Sequence, residues 1–101
     1  MKAIVNGTVV AEAANDDLIK IEGNWYFPPE SITPGTLEES PTPYTCPWKG
    51  VCQYFNVATA DGNVVADAAW SYPTPLPSSF ARVGQDYSNY VAFSPGAQIS
   101  E

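Results

Sequence analysis

The sequence predicts an all-β domain of seven to nine short strands with one or two short helical turns, arranged as two sheets or a partly closed barrel. Three observations carry that expectation. Ten prolines and seven glycines in 101 residues cut the chain into pieces too short for long helices. Between the breaks lie brief runs of Val, Ile, Trp, Tyr and Phe, residues that suit a pleated, half-buried surface. Asn6-Gly7 stands between two such runs and is a strong two-residue hairpin signal, because both turn positions need positive φ. A hydrophobic share of 45% over this length gives one domain, residues 1–101, with a core that needs no metal or disulfide staple.

Taken in order, Ala3–Val5 and Thr8–Glu12 flank that turn as the first two strands. Leu18–Glu22 alternates as a third, and Gly23-Asn24 reads as a turn into the aromatic strand Trp25–Phe27, which Pro28-Pro29 stops. Pro28–Tyr44, rich in Pro, Ser, Thr and Glu, reads as a lid, a binding loop, a packed irregular arm or a mobile acidic loop. Gln53–Val57 is the next strand, after a Pro47–Gly50 turn. Asp61-Gly62-Asn63 turns into Val64-Val65. Asp67–Tyr72 fits either a strand or a helical turn, and Pro73, Pro75 and Pro77 forbid its continuation as a helix. Ser78–Val83 reads as a short helix capped by Ser78 or Ser79, Tyr90–Phe93 as a strand, and Gln98–Ser100 as a terminal edge.

Composition narrows the function. A net charge of −7 argues against nucleic acid and against anionic membrane surfaces as partners. No apolar run approaches the length that spans a bilayer, and Met1–Gly7 breaks too early to read as a secretion signal. Two cysteines without such a signal point to the reducing cytoplasm. Histidine is absent, which removes Ser-His-Asp and Cys-His catalysis and most zinc sites. Neither a metal nor a cofactor is expected.

Four stretches share an order and spacing with a known family. They are E-G-N-W-Y-F-P-P-E-S-I (Glu22–Ile32), C-P-W-K-G (Cys46–Gly50) followed by Tyr54, D-A-A-W-S-Y-P-T-P (Asp67–Pro75) and Y-V-A-F (Tyr90–Phe93). Together they resemble the small bacterial domain-of-unknown-function family 427, sometimes given a nucleotidyltransferase-type name. The resemblance spans nearly the whole chain. It implies a β-tent-like fold, related to zinc-binding chaperone-like domains and to the ligand-binding domain of cereblon, and it implies no assigned reaction. The chain departs from the family at Cys52, from the zinc-binding cousins in lacking paired C-x-x-C motifs, and in a long Phe80–Asn89 segment. Nucleotidyl transfer finds no support in the residues. Asp16-Asp17 and Glu38-Glu39 are adjacent pairs whose side chains splay apart when extended, and no glycine-rich phosphate cradle is present.

The stretch C-P-W-K-G-V-C-Q-Y holds both cysteines and one of only four basic residues. Two thiols without histidine supply half a zinc site. If Pro47–Gly50 is a four-residue loop, Cys46 lies opposite Val51 and Cys52 points to the other sheet face, so no disulfide forms without a bulge. Cys46 then has three readings: a small buried hydrophobe, a ligand contact, or a nucleophile activated by Lys49. Its proton acceptor would come from Glu22, Glu30, Asp67, a tyrosine or Lys49. Lys49 reads either as solvated surface or as a point charge for a carboxylate or phosphate. Trp25, Trp48 and Trp70 with Tyr26, Tyr54 and Tyr72 supply aromatic walls with polar handles, or simply fill a core. Glu30 faces the pocket and pairs with Lys49, or is an ordinary surface carboxylate.

The expected function is binding of a small polar or anionic ligand in a pocket gathering Tyr26, Glu30, Cys46, Trp48, Lys49, Tyr54, Trp70 and Tyr72. The alternatives are a protein-interaction module using a sheet edge or the 28–45 segment, and an enzyme with Cys46 as nucleophile.

Overall fold

The computed structural model describes all 101 residues. Nine strands are joined by one helix and two 3-10 turns: β1 (Lys2–Val5), β2 (Thr8–Glu12), β3 (Ile19–Ile21), β4 (Asn24–Tyr26), β5 (Leu37–Cys46), β6 (Gly50–Ala58), β7 (Val64–Ser71), α1 (Pro77–Val83), β8 (Val91–Phe93) and β9 (Gln98–Ser100). The domain is all-β. The strands form three sheets rather than two, ordered β2-β1-β9, β3-β4 and β5-β6-β7-β8. The extra division has a local cause, since Pro28-Pro29 ends the aromatic strand before it can run alongside β8. One bridge survives there, with Phe27 N–H donating to the Val91 carbonyl at 2.8 Å and Val91 N–H to the Phe27 carbonyl at 2.9 Å.

The β1–β2 turn forms as expected, with Asn6 at φ 47 and Gly7 at φ 77. The next hairpin turns one residue earlier than the sequence suggests. Ile21 pairs with Asn24, so the turn is Glu22-Gly23, with both residues at positive φ. The 28–45 segment is not a loop. A 3-10 turn at Pro29–Ser31 leads to the ten-residue strand β5. Prolines 41 and 43 obscured that strand, and they are tolerated because β5 pairs on one side only, with β6. The register also shifts between Glu39 and Pro43. Asp67–Tyr72 resolves as strand through Ser71. The helix opens on Pro77, with Leu76 in the cap position, rather than on a serine cap. Proline at the first helical position has no N–H to satisfy, so the side-chain cap is dispensable. Ser79 instead donates to the Leu76 carbonyl at 2.7 Å and accepts from the buried Tyr87 hydroxyl at 2.8 Å.

The four-stranded sheet is buried on both faces. On one, Val57, Ala69, Val91 and Phe93 pack with Phe27 against Ala3, Val5 and Val10 of the β1–β2 hairpin. On the other, Cys46, Cys52, Tyr72 and Ala92 pack against Ile19, Ile21 and Tyr26 of β3–β4, with Tyr87 and α1 closing the side. The alternation is strict in β8, where Val91 and Phe93 face the first core and Ala92 the second. The second core carries most of the aromatic side chains of the four segments singled out in the sequence, and the candidate site borders it.

Phe27 joins the parts, because its ring is fully buried edge-on to Phe93 at 5.8 Å and its backbone makes the bridge to Val91. Phe27→Ala is expected to destabilise the domain by about 3–5 kcal/mol. A domain of this class holds only about 5–15 kcal/mol in total. Urea unfolding should show the midpoint falling by about a fifth or more.

Candidate functional site

The site is assembled around the turn Pro47–Lys49 between β5 and β6. The loop has three residues and not four, because Cys46 pairs with Gly50. Gly50 makes this possible at φ 109, and a side chain there would also press on Leu76 at 3.4 Å. The shorter loop reverses one expectation. Cys46 lies opposite Gly50, and Cys52 opposite Tyr44, so both cysteines point to the same face of the sheet rather than to opposite ones. Both are free thiols, each 6% exposed within the second core. In the folded domain they pack as small hydrophobes.

The same turn buries Lys49, whose side chain is only 7% exposed. Its ammonium donates to Glu22 Oε1 at 2.6 Å, and this is the one salt bridge in the molecule. It lies 4.9 Å from the centre of the Tyr72 ring and 5.2 Å from that of Trp48, within range of both π faces. Burial pulls the Lys49 pKa down. The hydrogen bond to Glu22 and the proximity of Tyr26 outweigh it, and the ammonium ends above its ordinary range. Glu30, read either as a partner of Lys49 or as an ordinary surface carboxylate, stands exposed on the Pro29–Ser31 turn. Glu22 takes that place from the tip of the β3–β4 hairpin, held at φ 52.

Behind Lys49 the aromatic side chains interlock. Trp70 Nε1 donates to the Tyr26 hydroxyl at 3.0 Å, and Tyr54, paired with Trp70 across β6–β7, meets its ring edge-on at 6.3 Å. Tyr26 and Tyr72 are 1% and 3% exposed, so they form a floor rather than an open wall. Burial raises the pKa of Tyr26, partly offset by Trp70 and Lys49. It raises that of Tyr72 further and that of the Cys52 thiol as well.

The concave surface lies in front of this floor. A cleft of about 220 Å³ is lined by Lys20, Ile21, Glu22, Trp48, Arg82 and Val83. Of the eight residues expected at the pocket, only Trp48 lines it directly. Lys49 sits behind Glu22 and Trp48, and Cys46, Tyr26 and Tyr72 lie in the buried layer. Lys20 and Arg82 were not anticipated. Lys20 pairs with Trp25 across the hairpin and holds its ammonium 5.0 Å from that indole. Arg82 reaches from the last turn of α1 and lays its guanidinium 4.3 Å from the centre of the Trp48 ring. The available signal was scarcity. In a chain with four basic residues, each one is informative by position, and three of them gather here.

Two expectations follow. Cys52, Tyr26, Tyr72 and Lys49 all have raised folded pKa values, from ordinary values of 9.0, 10.0, 10.0 and 10.5. The unfolded chain therefore loses these protons first, and stability falls as pH rises through and above that range. Each group contributes a slope of up to about 1.4 kcal/mol per pH unit while it titrates only in the unfolded state. Urea midpoints should be level from pH 7 to about 8.5 and drop steeply by pH 11. In addition, neither thiol should react with a disulfide reagent at pH 7.5 until the domain is unfolded; fast labelling of the native protein would contradict the packing described.

A family model described as a domain of unknown function, DUF427, matches residues 1–99. No curated protein matches the chain. The match covers every residue lining the cleft and all of the strands except Ser100, the last residue of β9. By that match, and in keeping with the four sequence segments that surround the second core, the chain belongs to the DUF427 family.

Proposed function

We propose that this domain binds a small anionic molecule in the cleft between Trp48, Lys20 and Arg82. The convergence of charge carries the reading. Lys20, Lys49, Arg82 and Glu22 together bring +2 to the cleft in a chain of −7, so the remaining surface carries −9. A cationic recess within an acidic surface concentrates field on itself and draws small anions from solution. Trp48 offers a flat apolar face beside the cations, and Arg82 already stacks on part of it.

Size sets the ligand class. At about 220 Å³ the cleft falls below the roughly 300–1,000 Å³ of pockets for drug-sized ligands, which fits a compact acid or phosphate. A nucleoside triphosphate exceeds that space, and the cleft holds no second carboxylate beside Glu22 to share a metal with its phosphates.

Neither alternative draws comparable support. Cys46 is 6% exposed within the second core and does not line the cleft, which argues against a nucleophile that a substrate can reach. The β5 edge has lost two backbone donors at Pro41 and Pro43, which weakens it as a template for an added strand. Two unpaired thiols on one sheet face suit the reducing cytoplasm as the place of action.

A thermal-shift and NMR screen of small carboxylates and phosphates tests the reading. Binders should shift the Trp48 indole signal and lose at least tenfold in affinity in Arg82→Ala. A screen without any binder, or binders indifferent to both Arg82→Ala and Trp48→Ala, would remove the cleft from consideration.

A further inference from the structure

Glu22 is an unusual occupant of its position. Type I′ turns favour Asn, Asp or Gly at the first central residue, and a longer side chain at φ 52 is held there against its preference. From that turn its carboxylate reaches into the cleft and onto the one buried ammonium of the domain, while remaining 55% exposed itself. Lys49 is nearly inaccessible, so the volume that Glu22 fills is the approach by which another anion would reach it.

We infer that Glu22 is an internal stand-in for the ligand's own carboxylate: the incoming carboxylate takes its place on Lys49, and Glu22 swings out to solvent as a gate. This rests on the cleft reading above and specifies its ligand as a carboxylate carrying a flat apolar body. The geometry fits each part. Lys49 already binds a carboxylate oxygen at 2.6 Å, so the exchange preserves its charge and its hydrogen bond. Lys20 and Arg82 line the same cleft and add positive charge for the second oxygen or the displaced Glu22. Trp48, half-buried at the cleft, supplies the apolar surface for the body, which would share the ring with the Arg82 guanidinium. Glu22 can leave because its side chain is already 55% exposed and Lys49 keeps a carboxylate partner throughout the exchange, so no buried charge is left unpaired.

The exchange makes Glu22 a competitor, so removing its charge must improve binding. The probe is benzoate, titrated into wild type and Glu22→Gln with the Trp48 indole and the Lys49 side-chain ammonium followed by NMR. Glu22→Gln is chosen because Gln keeps the shape and still offers Lys49 an amide oxygen while removing the competing charge; the loss of the counter-charge lowers stability, so binding is measured at a temperature where the urea midpoint shows the variant folded. Affinity is expected to rise roughly fivefold in Glu22→Gln, with the Lys49 signal moving in both proteins and benzamide binding far more weakly than benzoate. A Gly-Gly-Phe tripeptide with a free C-terminus distinguishes the source of the carboxylate. Tighter binding of the peptide assigns a chain terminus, and tighter binding of benzoate a free acid. Benzoate binding that depends on Arg82 but is unchanged in Glu22→Gln, or that leaves the Lys49 signal still, overturns the exchange and leaves the cleft reading standing. Benzamide binding as tightly as benzoate also overturns it. Absence of binding by wild type and Glu22→Gln across the whole panel overturns both.

Discussion

A buried ammonium constrains the rest of the site. Lys49 lies at the tip of a three-residue loop whose closure depends on Gly50, and the loop aims it inward among aromatic rings. An unpaired charge there would carry a desolvation penalty of several kcal/mol. The fold must therefore bring a carboxylate to it. It does so from a different sheet, by placing Glu22 on the tip of the β3–β4 hairpin in a left-handed conformation. The position of that hairpin is in turn fixed by the Phe27–Val91 bridge and by Ile19, Ile21 and Tyr26 in the second core. The Lys49 carbonyl accepts from Leu76 N–H at 2.9 Å, which ties the entry to α1 to the same loop and brings Arg82 to the cleft rim. One charge thus couples two hairpins and the helix.

A second polar network shapes the sheet beneath the site. Asp67 lies in β7 at φ 52, and its two carboxylate oxygens accept from Ser40 Oγ at 2.5 Å and Thr42 Oγ1 at 2.8 Å across the sheet. Its N–H donates to Asn56 Oδ1 at 3.1 Å. The register shifts of β5–β6 and β6–β7 fall beside these residues. Irregularities in three neighbouring strands therefore occur together and are closed by one carboxylate. Bulges increase local twist. Here they divide the β6–β7 pairing into one run around Tyr54 and Trp70 and another that joins Val57-Ala58 to Val64-Val65. Asp67 opens one of the family's sequence segments, and its place in the structure is architectural.

Local chemistry made much of the fold legible. Asn6-Gly7 and Asp61-Gly62-Asn63 specify turns by their tolerance of positive φ, and the strands between them follow by alternation. The failures share a cause, since each depends on a neighbour the sequence does not show. Pro41 and Pro43 speak against a strand until it is known to be an edge. The one-residue error at Glu22-Gly23 arose because Gly-Asn is the better turn dipeptide, whereas tertiary pairing of Ile21 with Asn24 prevails. The cysteine error was one of loop length. A single residue fewer between Cys46 and its partner moves Cys52 to the buried face, as a period of two requires. At the site, the segment holding Trp48 and Lys49 could be identified. Lys20 and Arg82 could not, because they come from elements whose approach is decided by packing.

The charge pattern explains why a small acidic domain retains so few cations. Three of its four basic residues meet within reach of Trp48 or Trp25, and none of the three is spent on solubility, which the excess of carboxylates already provides. Each cation faces an indole, and an indole face attracts a cation without neutralising it. Lys20 and Arg82 therefore keep their full charge for a partner outside the protein, whereas Lys49 has its charge met by Glu22. The cleft thus joins two unspent cations to one occupied cation. An anion entering it would gain the first two without displacing any protein group, and the third only in exchange for Glu22. On the proposed reading, that division would separate capture at the rim from commitment at the floor.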